Sequence, residues 1–97
     1  MLVVIGSIDL EPADREAYLE SKRPRVLETR TEPGCLDYAF SADAGDPGRV
    51  RLIERWADRP SFDAHVALVL ARTPDPTATT VPVIDATYLR YRVEPLD

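Results

Sequence analysis

The sequence contains little that would suit a secreted or membrane protein. It has a single cysteine, Cys35, so no disulfide can form within the chain. No segment approaches the roughly 20 consecutive apolar residues that a membrane-spanning helix requires. The chain opens on an apolar run at residues 2–5, without the positively charged leader of an export signal. We therefore expect a cytoplasmic protein in a reducing compartment, with no membrane partner.

Residues that hold cofactors are also scarce. There is one histidine, His65, and there is no Asn or Gln at all. A metal site needs several convergent ligands, and His65 and Cys35 show no ligand spacing. No glycine-rich loop precedes a helix, so no phosphate cradle for a nucleotide is expected. The formal net charge of -5 disfavours nucleic acid as a partner. The sequence thus predicts a protein without metal or cofactor.

The residues that are present predict one α+β domain over residues 1–97. The composition, 44% hydrophobic and 30% charged, is that of an ordinary globular chain. Segments in which apolar residues recur with the period-two spacing of strands and segments in which they recur with helical spacing follow one another in the order β, α, β, β, α, β. The predicted strands are 2–10, 35–42, 49–57 and 81–93, the predicted helices are 12–30 and 59–73, and loops are predicted at 43–48 and 74–80. Right-handed crossovers then give a ferredoxin-like, four-stranded antiparallel sheet with both helices on one face.

Two segments show local features with structural consequences. Pro24 lies inside the first predicted helix, where it removes a hydrogen bond and should kink or divide the helix. In the second strand, alternation places Leu36, Tyr38, Phe40 and Ala42 together on one face.

The third strand predicts what happens to the face of the sheet that has no helices. Its side chains divide into Val50, Leu52, Glu54 and Trp56 on one side, and Arg51, Ile53 and Arg55 on the other. The arginines, with Arg49, solvate the rim of the sheet or pair with acidic residues across a dimer. A half-apolar face without a covering layer predicts association, and a twofold homodimer through this face is the simplest closed solution.

Three short motifs resemble the antibiotic biosynthesis monooxygenase family. They are residues 31–35 (TEPGC) followed by Tyr38, residues 54–56 (ERW), and residues 62–65 (FDAH), which place His65 nine positions after Trp56. With the element order, the resemblance covers nearly the whole chain. It implies a dimeric α+β barrel that oxidises a small aromatic, polyketide or quinol-type molecule with O2, without metal, flavin or haem.

The candidate site follows from the helix-facing side chains. His65 is the candidate catalytic base, since His titrates near physiological pH; the alternative is a packed His hydrogen-bonded to a neighbour such as Glu54. Glu54, if buried, needs a partner such as His65 or an arginine, whether for binding or as a structural ion pair. Trp56 either packs in the core or walls a flat aromatic ligand together with Tyr38, Phe40 and Phe62. Tyr88 and Tyr91 point to opposite faces of the last strand, so at most one lines the same pocket.

The chain also departs from known branches of this superfamily. The haem-degrading branch uses an Asn on the first strand and a Trp and a His on the second helix, an arrangement that this chain does not supply. Members that oxidise polyketide anthrones use an Asn and an Arg, and this chain has no Asn. Two interpretations of the pocket besides a monooxygenase stay open: a non-catalytic dimeric module that binds a small hydrophobic metabolite, and a pocket filled by side chains in a purely structural partner.

Overall fold

The computed structural model describes residues 1–73 and 80–97 and contains the predicted order of elements. The strands are β1 (Leu2–Asp9), β2 (Cys35–Ala42), β3 (Arg49–Trp56) and β4 (Asp85–Arg92), and the helices are α1 (Arg15–Thr29), preceded by a 3-10 turn at Pro12–Asp14, and α2 (Arg59–Ala71). The sheet has the order β2-β3-β1-β4, and every neighbouring pair is antiparallel. The ferredoxin-like α+β prediction is confirmed.

Both helices pack on the same face of the sheet. Tyr18 of α1 and Phe62 of α2 lie in one apolar core with alternate residues of β1 and β3, among them Ile8, Val50 and Trp56, which are fully buried. Because side chains alternate across a strand, the residues between them lie on the opposite face. The helices therefore cover one side of the sheet and leave the other open.

The helix boundaries follow the local chemistry of the sequence. Asp58 caps α2, since its carboxylate accepts a hydrogen bond from the Ser61 amide at 2.8 Å. Pro60 fits in the first turn, where its missing amide proton costs no hydrogen bond. Helix α1 continues through Pro24 as one element, so the chain accommodates this proline without dividing the helix.

Two predicted details of the strands are wrong. Leu36 is 47% exposed instead of sharing the buried face with Tyr38. Cys35 pairs with Trp56, and Asp37 pairs with the adjacent β3 residue Arg55, so Leu36 has no partner of its own on β3. Leu36 is therefore the extra residue of a β-bulge, which resets the alternation. Strand β4 begins at Asp85 rather than at residue 81. The predicted loop at 74–80 lies outside the described residues except for Thr80.

The open face of the sheet carries an apolar row across its middle. Ala39, Ile53, Ile5 and Leu89 are successive partners in the strand register from β2 to β4. Ile5, Ile53 and Leu89 are between 40% and 51% exposed. The arginines beside this row pair within the protomer: Arg49 with Asp9 at 2.9 Å, Arg51 with Asp43 at 3.3 Å and Arg55 with Asp37 at 3.6 Å.

Candidate active site

A cleft of about 390 Å³ opens between the two helices and the covered face of the sheet. This volume is in the usual range for small-molecule sites. Its described lining residues are Val4, Tyr18, Lys22, Arg25, Tyr38, Phe40, Leu52, Glu54, Phe62, His65, Val66, Val69, Leu70, Arg72, Tyr88 and Arg90. Aromatic and aliphatic side chains make up most of this lining, with His65 and Glu54 as buried polar groups.

His65 is held by a carboxylate that the sequence prediction did not name. Its Nδ1 lies 2.9 Å from Oε1 of Glu32, which follows the end of α1, and both side chains are almost entirely buried. A carboxylate only accepts hydrogen bonds, so it favours the tautomer in which Nδ1 carries the proton. The Nε2 lone pair then remains available on the side of Glu54, 3.9 Å from its Oε1. Glu32 thus orients the imidazole as a proton acceptor.

Glu54 is fixed from the opposite side by Trp56. The indole Nε1 donates a hydrogen bond of 3.0 Å to Glu54 Oε1. Burial raises the pKa of Glu54 above its ordinary value, although this hydrogen bond and the nearby His65 and Arg90 lower it in part. Glu54 Oε1 lies 3.9 Å from His65 Nε2, beyond hydrogen-bond distance, so the hydrogen bond expected between these two side chains is replaced by the one between His65 and Glu32.

The structure brings Tyr38, Phe40 and Phe62 together around the cleft, and it places Trp56 behind them. Trp56 is fully buried and is not among the described lining residues. Its ring packs against His65 with centroids 4.8 Å apart and against Phe62 at 6.3 Å. Trp56 therefore contacts His65 and Glu54 from behind the cleft.

Edge-to-face ring contacts continue from His65 along one side of the cleft. Tyr38 lies 5.6 Å from His65, Phe40 lies 5.8 Å from Tyr38, and Tyr18 lies 6.2 Å from Phe40. Burial raises the pKa of Tyr18 to about 12 and raises that of Tyr38 further, so both phenols stay protonated at neutral pH. They serve as walls of the cleft rather than as bases.

One glycine makes room for the wall on the other side. Gly6 of β1 lies beneath Tyr88 on the helix-facing side of the sheet, and a Cβ at this position would lie 3.0 Å from the Tyr88 ring and 2.9 Å from Leu52 Cβ. The absence of a side chain lets the Tyr88 ring lie across the sheet. Tyr88 therefore lines the cleft, whereas Tyr91 does not appear among its described lining residues.

The described residues contain no group of three or more His, Cys, Asp or Glu side chains arranged to hold a metal ion. Within residues 1–73 and 80–97, no helix is long and apolar enough to cross a lipid bilayer.

The family model for antibiotic biosynthesis monooxygenases matches residues 1–72 of the chain. The chain belongs to the antibiotic biosynthesis monooxygenase family. The match includes α1, β2, β3 and α2, and with them the motifs that supply Glu32, Glu54 and His65. The resemblance inferred from those motifs is confirmed.

Solved structures of similar fold agree with membership in the antibiotic biosynthesis monooxygenase family. A crystal structure of an antibiotic biosynthesis monooxygenase is 31% identical, with a TM-score of 0.67 over 98% of this chain and 100% of the other. A Deinococcus radiodurans protein has a TM-score of 0.78 at 20% identity, over 100% of this chain and 96% of the other. An uncharacterised protein of Synechocystis is 30% identical over 64 residues, which are 66% of this chain. The chain spans only 44% of that relative's length.

Proposed function

We propose that the protein is a monooxygenase that uses O2 without a cofactor to oxidise a small aromatic, polyketide or quinol-type substrate. The observation that carries the proposal is the 2.9 Å contact between His65 Nδ1 and Glu32, which leaves Nε2 as a proton acceptor in an aromatic cleft. Membership in the family supports an oxidative activity of this general kind.

His65 would act as the general base. After Nε2 takes a proton from the substrate, the imidazolium lies between the carboxylate groups of Glu32 and Glu54, which are 2.9 and 3.9 Å from its two nitrogens. Opposite charges at these distances stabilise the protonated ring. The pair of His65 and Glu32 therefore lowers the energy of the state in which the substrate is an anion.

An electron-rich substrate anion can react with O2 directly. For a methylene carbon activated by neighbouring rings, the anion passes one electron to O2, and the resulting radical combines with superoxide to form a carbon–oxygen bond. Protonation gives a hydroperoxide, and loss of water leaves a ketone, so that one methylene group and one O2 become one carbonyl group and one water. One oxygen atom enters the product and the other leaves as water. The chain supplies the base and the orientation of the substrate in a mostly apolar cleft.

With an anthrone as substrate, the purified protein should increase O2 uptake above the spontaneous rate, and mass spectrometry after reaction under oxygen-18 gas should find one labelled atom in the quinone product. A panel of hydroquinones tests the quinol alternative in the same electrode. If these compounds raise the melting temperature without any uptake, the cleft is a binding site only and the monooxygenase proposal is wrong.

We also propose that two copies associate through the open face of the sheet. The row Ala39, Ile53, Ile5 and Leu89 is an exposed apolar strip, and the neighbouring arginines are already neutralised within the protomer. A second sheet laid against this face would bury the strip without isolating an unpaired charge. The clefts lie on the opposite side of each sheet, so they stay open in such a dimer.

Ile53→Arg should convert a dimer into a folded monomer, because it places a further positive charge between Arg51 and Arg55 at the centre of the apolar row. Leu27→Arg, on the exposed surface of α1 (53% exposed), should leave the assembly unchanged. Sedimentation velocity over a dilution series measures both. A wild-type monomer, or an Ile53→Arg protein that still dimerises, would contradict the proposed interface.

A further inference from the structure

The charge of the cleft is opposite to the charge of the whole chain. The chain has 17 Asp and Glu residues against 12 Lys and Arg. The described lining of the cleft nevertheless contains Lys22, Arg25, Arg72 and Arg90 with a single carboxyl group, that of Glu54. With four cationic side chains against one carboxyl group, the cleft is the cationic part of an acidic protein.

Five of the eleven arginines form ion pairs with carboxylates within the described residues. Ion pairs join Arg25 to Glu28, Arg49 to Asp9, Arg51 to Asp43, Arg55 to Asp37 and Arg59 to Asp63. Lys22, the only lysine, forms no ion pair with any carboxylate in residues 1–73 and 80–97. Its ammonium instead lies over two rings, 5.1 Å from the centroid of Tyr18 and 5.9 Å from that of Phe40. These rings attract a cation but do not neutralise it.

Lys22 stands at the far end of the aromatic wall from His65. The wall runs from His65 through Tyr38 and Phe40 to Tyr18, each ring in edge contact with the next. A flat molecule lying along this wall, with its reactive end at His65, would bring its other end to the Lys22 ammonium. Lys22 is partly buried, and this burial lowers the pKa of its ammonium, so an anionic partner would offset the desolvation of its charge.

We infer that Lys22 selects an aromatic substrate that carries a carboxylate at the end remote from the reacting carbon. This inference rests on the proposed function, because it takes the His65 end of the cleft as the place of reaction. The ammonium, which lies above the Tyr18 and Phe40 rings, would donate a charge-assisted hydrogen bond to this carboxylate. Lys22 is then a specificity-determining residue, and the preferred substrates are aromatic acids rather than neutral phenols.

Arg90 offers a different explanation for the positive charge. Its guanidinium carbon lies 5.2 Å from the centroid of Phe62, and its charge helps to lower the pKa of Glu54. Arg90 therefore lies at the Glu54 and Phe62 end of the cleft, where it balances a protein carboxylate. If an anionic group bound there, the preference for acids would depend on Arg90 and not on Lys22.

The test of Lys22 uses two probes that differ by one carboxylate at the end opposite their hydroxyl group, 2-naphthol and 6-hydroxy-2-naphthoate. Calorimetry of binding in the absence of turnover should show that the wild-type protein binds the acid at least about tenfold more tightly, the size expected for one charge-assisted hydrogen bond. Lys22→Met should abolish this preference while changing the affinity for 2-naphthol less than about threefold. Lys22→Arg should retain the preference.

The matched control is Arg23→Met. Arg23 is the next residue on α1, is exposed, and is not among the described residues that line the cleft, yet its loss changes the net charge equally. It should leave both affinities unchanged. Equal binding of the two probes by the wild type, or a preference that survives Lys22→Met and disappears in Arg90→Met, overturns the inference about Lys22. If neither probe binds, the proposal that the cleft binds aromatic molecules is wrong. If both probes bind normally but no O2 uptake is observed with an active-site substrate, only the proposed reaction is wrong.

Discussion

Replacing His65 by Ala is expected to lower the turnover of O2 with an active aromatic substrate at least about tenfold, since a positioned general base commonly contributes about 100-fold or more. The imidazole is the only side chain of the cleft with a free proton-accepting nitrogen held by a second group, Glu32, within the described residues. Because the proton is removed on the way to the transition state, the loss should fall on kcat, with KM changed little. An oxygen electrode measures both constants.

A graded series separates this role from packing. Glu32→Gln keeps an oxygen that can accept the hydrogen bond from Nδ1 but removes the negative charge, so its loss of kcat should be smaller than that of His65→Ala. Glu16→Gln, which alters an exposed carboxylate on α1 that is not among the described residues lining the cleft, should have no effect. Thermal unfolding must show that each variant is folded at the assay temperature. Unchanged kcat in folded His65→Ala would remove His65 from the mechanism.

Gly34→Ala is expected to destabilise the fold by about 2–3 kcal/mol, which corresponds to a fall of about 10–20 °C in Tm for a domain of this size. Gly34 has φ of 80°, a left-handed conformation that alanine adopts only with strain. Its Cβ would also collide with Ser61 Oγ and lie 2.5 Å from Ser61 Cβ. Differential scanning calorimetry measures the change.

Two further variants separate the contribution of the backbone strain from that of the collision with Ser61. Gly45→Ala is the control, because Gly45 has no positive φ and its Cβ would meet only Asp43 Oδ1, at 3.4 Å. It should change Tm little. Gly34→Ala combined with Ser61→Gly removes the collision but not the backbone strain, so it should recover part of the lost stability. A Tm for Gly34→Ala equal to that of Gly45→Ala would show that the turn before β2 adapts freely.

The element order could be predicted because each element has a local cause. The apolar alternation of β3, the Asp58 cap of α2 and the Pro33-Gly34 turn before β2 are all readable along the chain. The bulge at Leu36 was not predictable, since period-two alternation in the sequence gives no sign that two residues of one strand oppose a single partner. The start of β4 depends on pairing with Asp9 of β1, which is a tertiary contact.

In the candidate site, too, some residues could be predicted from the sequence and others could not. His65 and Glu54 were identifiable as polar residues on faces that had to be buried, and Tyr38, Phe40 and Phe62 as aromatic residues on the same side. The partner of His65 was missed: Glu32 is 33 positions away, and only the packing of α2 against the turn that follows α1 brings the two together. Glu32 lies in the motif at residues 31–35, so the motif marked its position without revealing its role. Lys22 gave no signal in the sequence beyond being the only lysine.

The two walls of the cleft differ in how well they are packed, because one of them belongs to the edge strand β4. All eight residues of β4 are exposed, and β4 is held at the sheet edge by its pairing with β1. Tyr88 and Arg90, on the helix-facing side of β4, form one wall of the cleft, while the opposite wall belongs to the packed core. Edge elements separate at lower free energy than the rest of a domain. Transient fraying of this one strand would therefore widen the opening of the cleft, while the buried Glu32–His65 pair keeps its geometry.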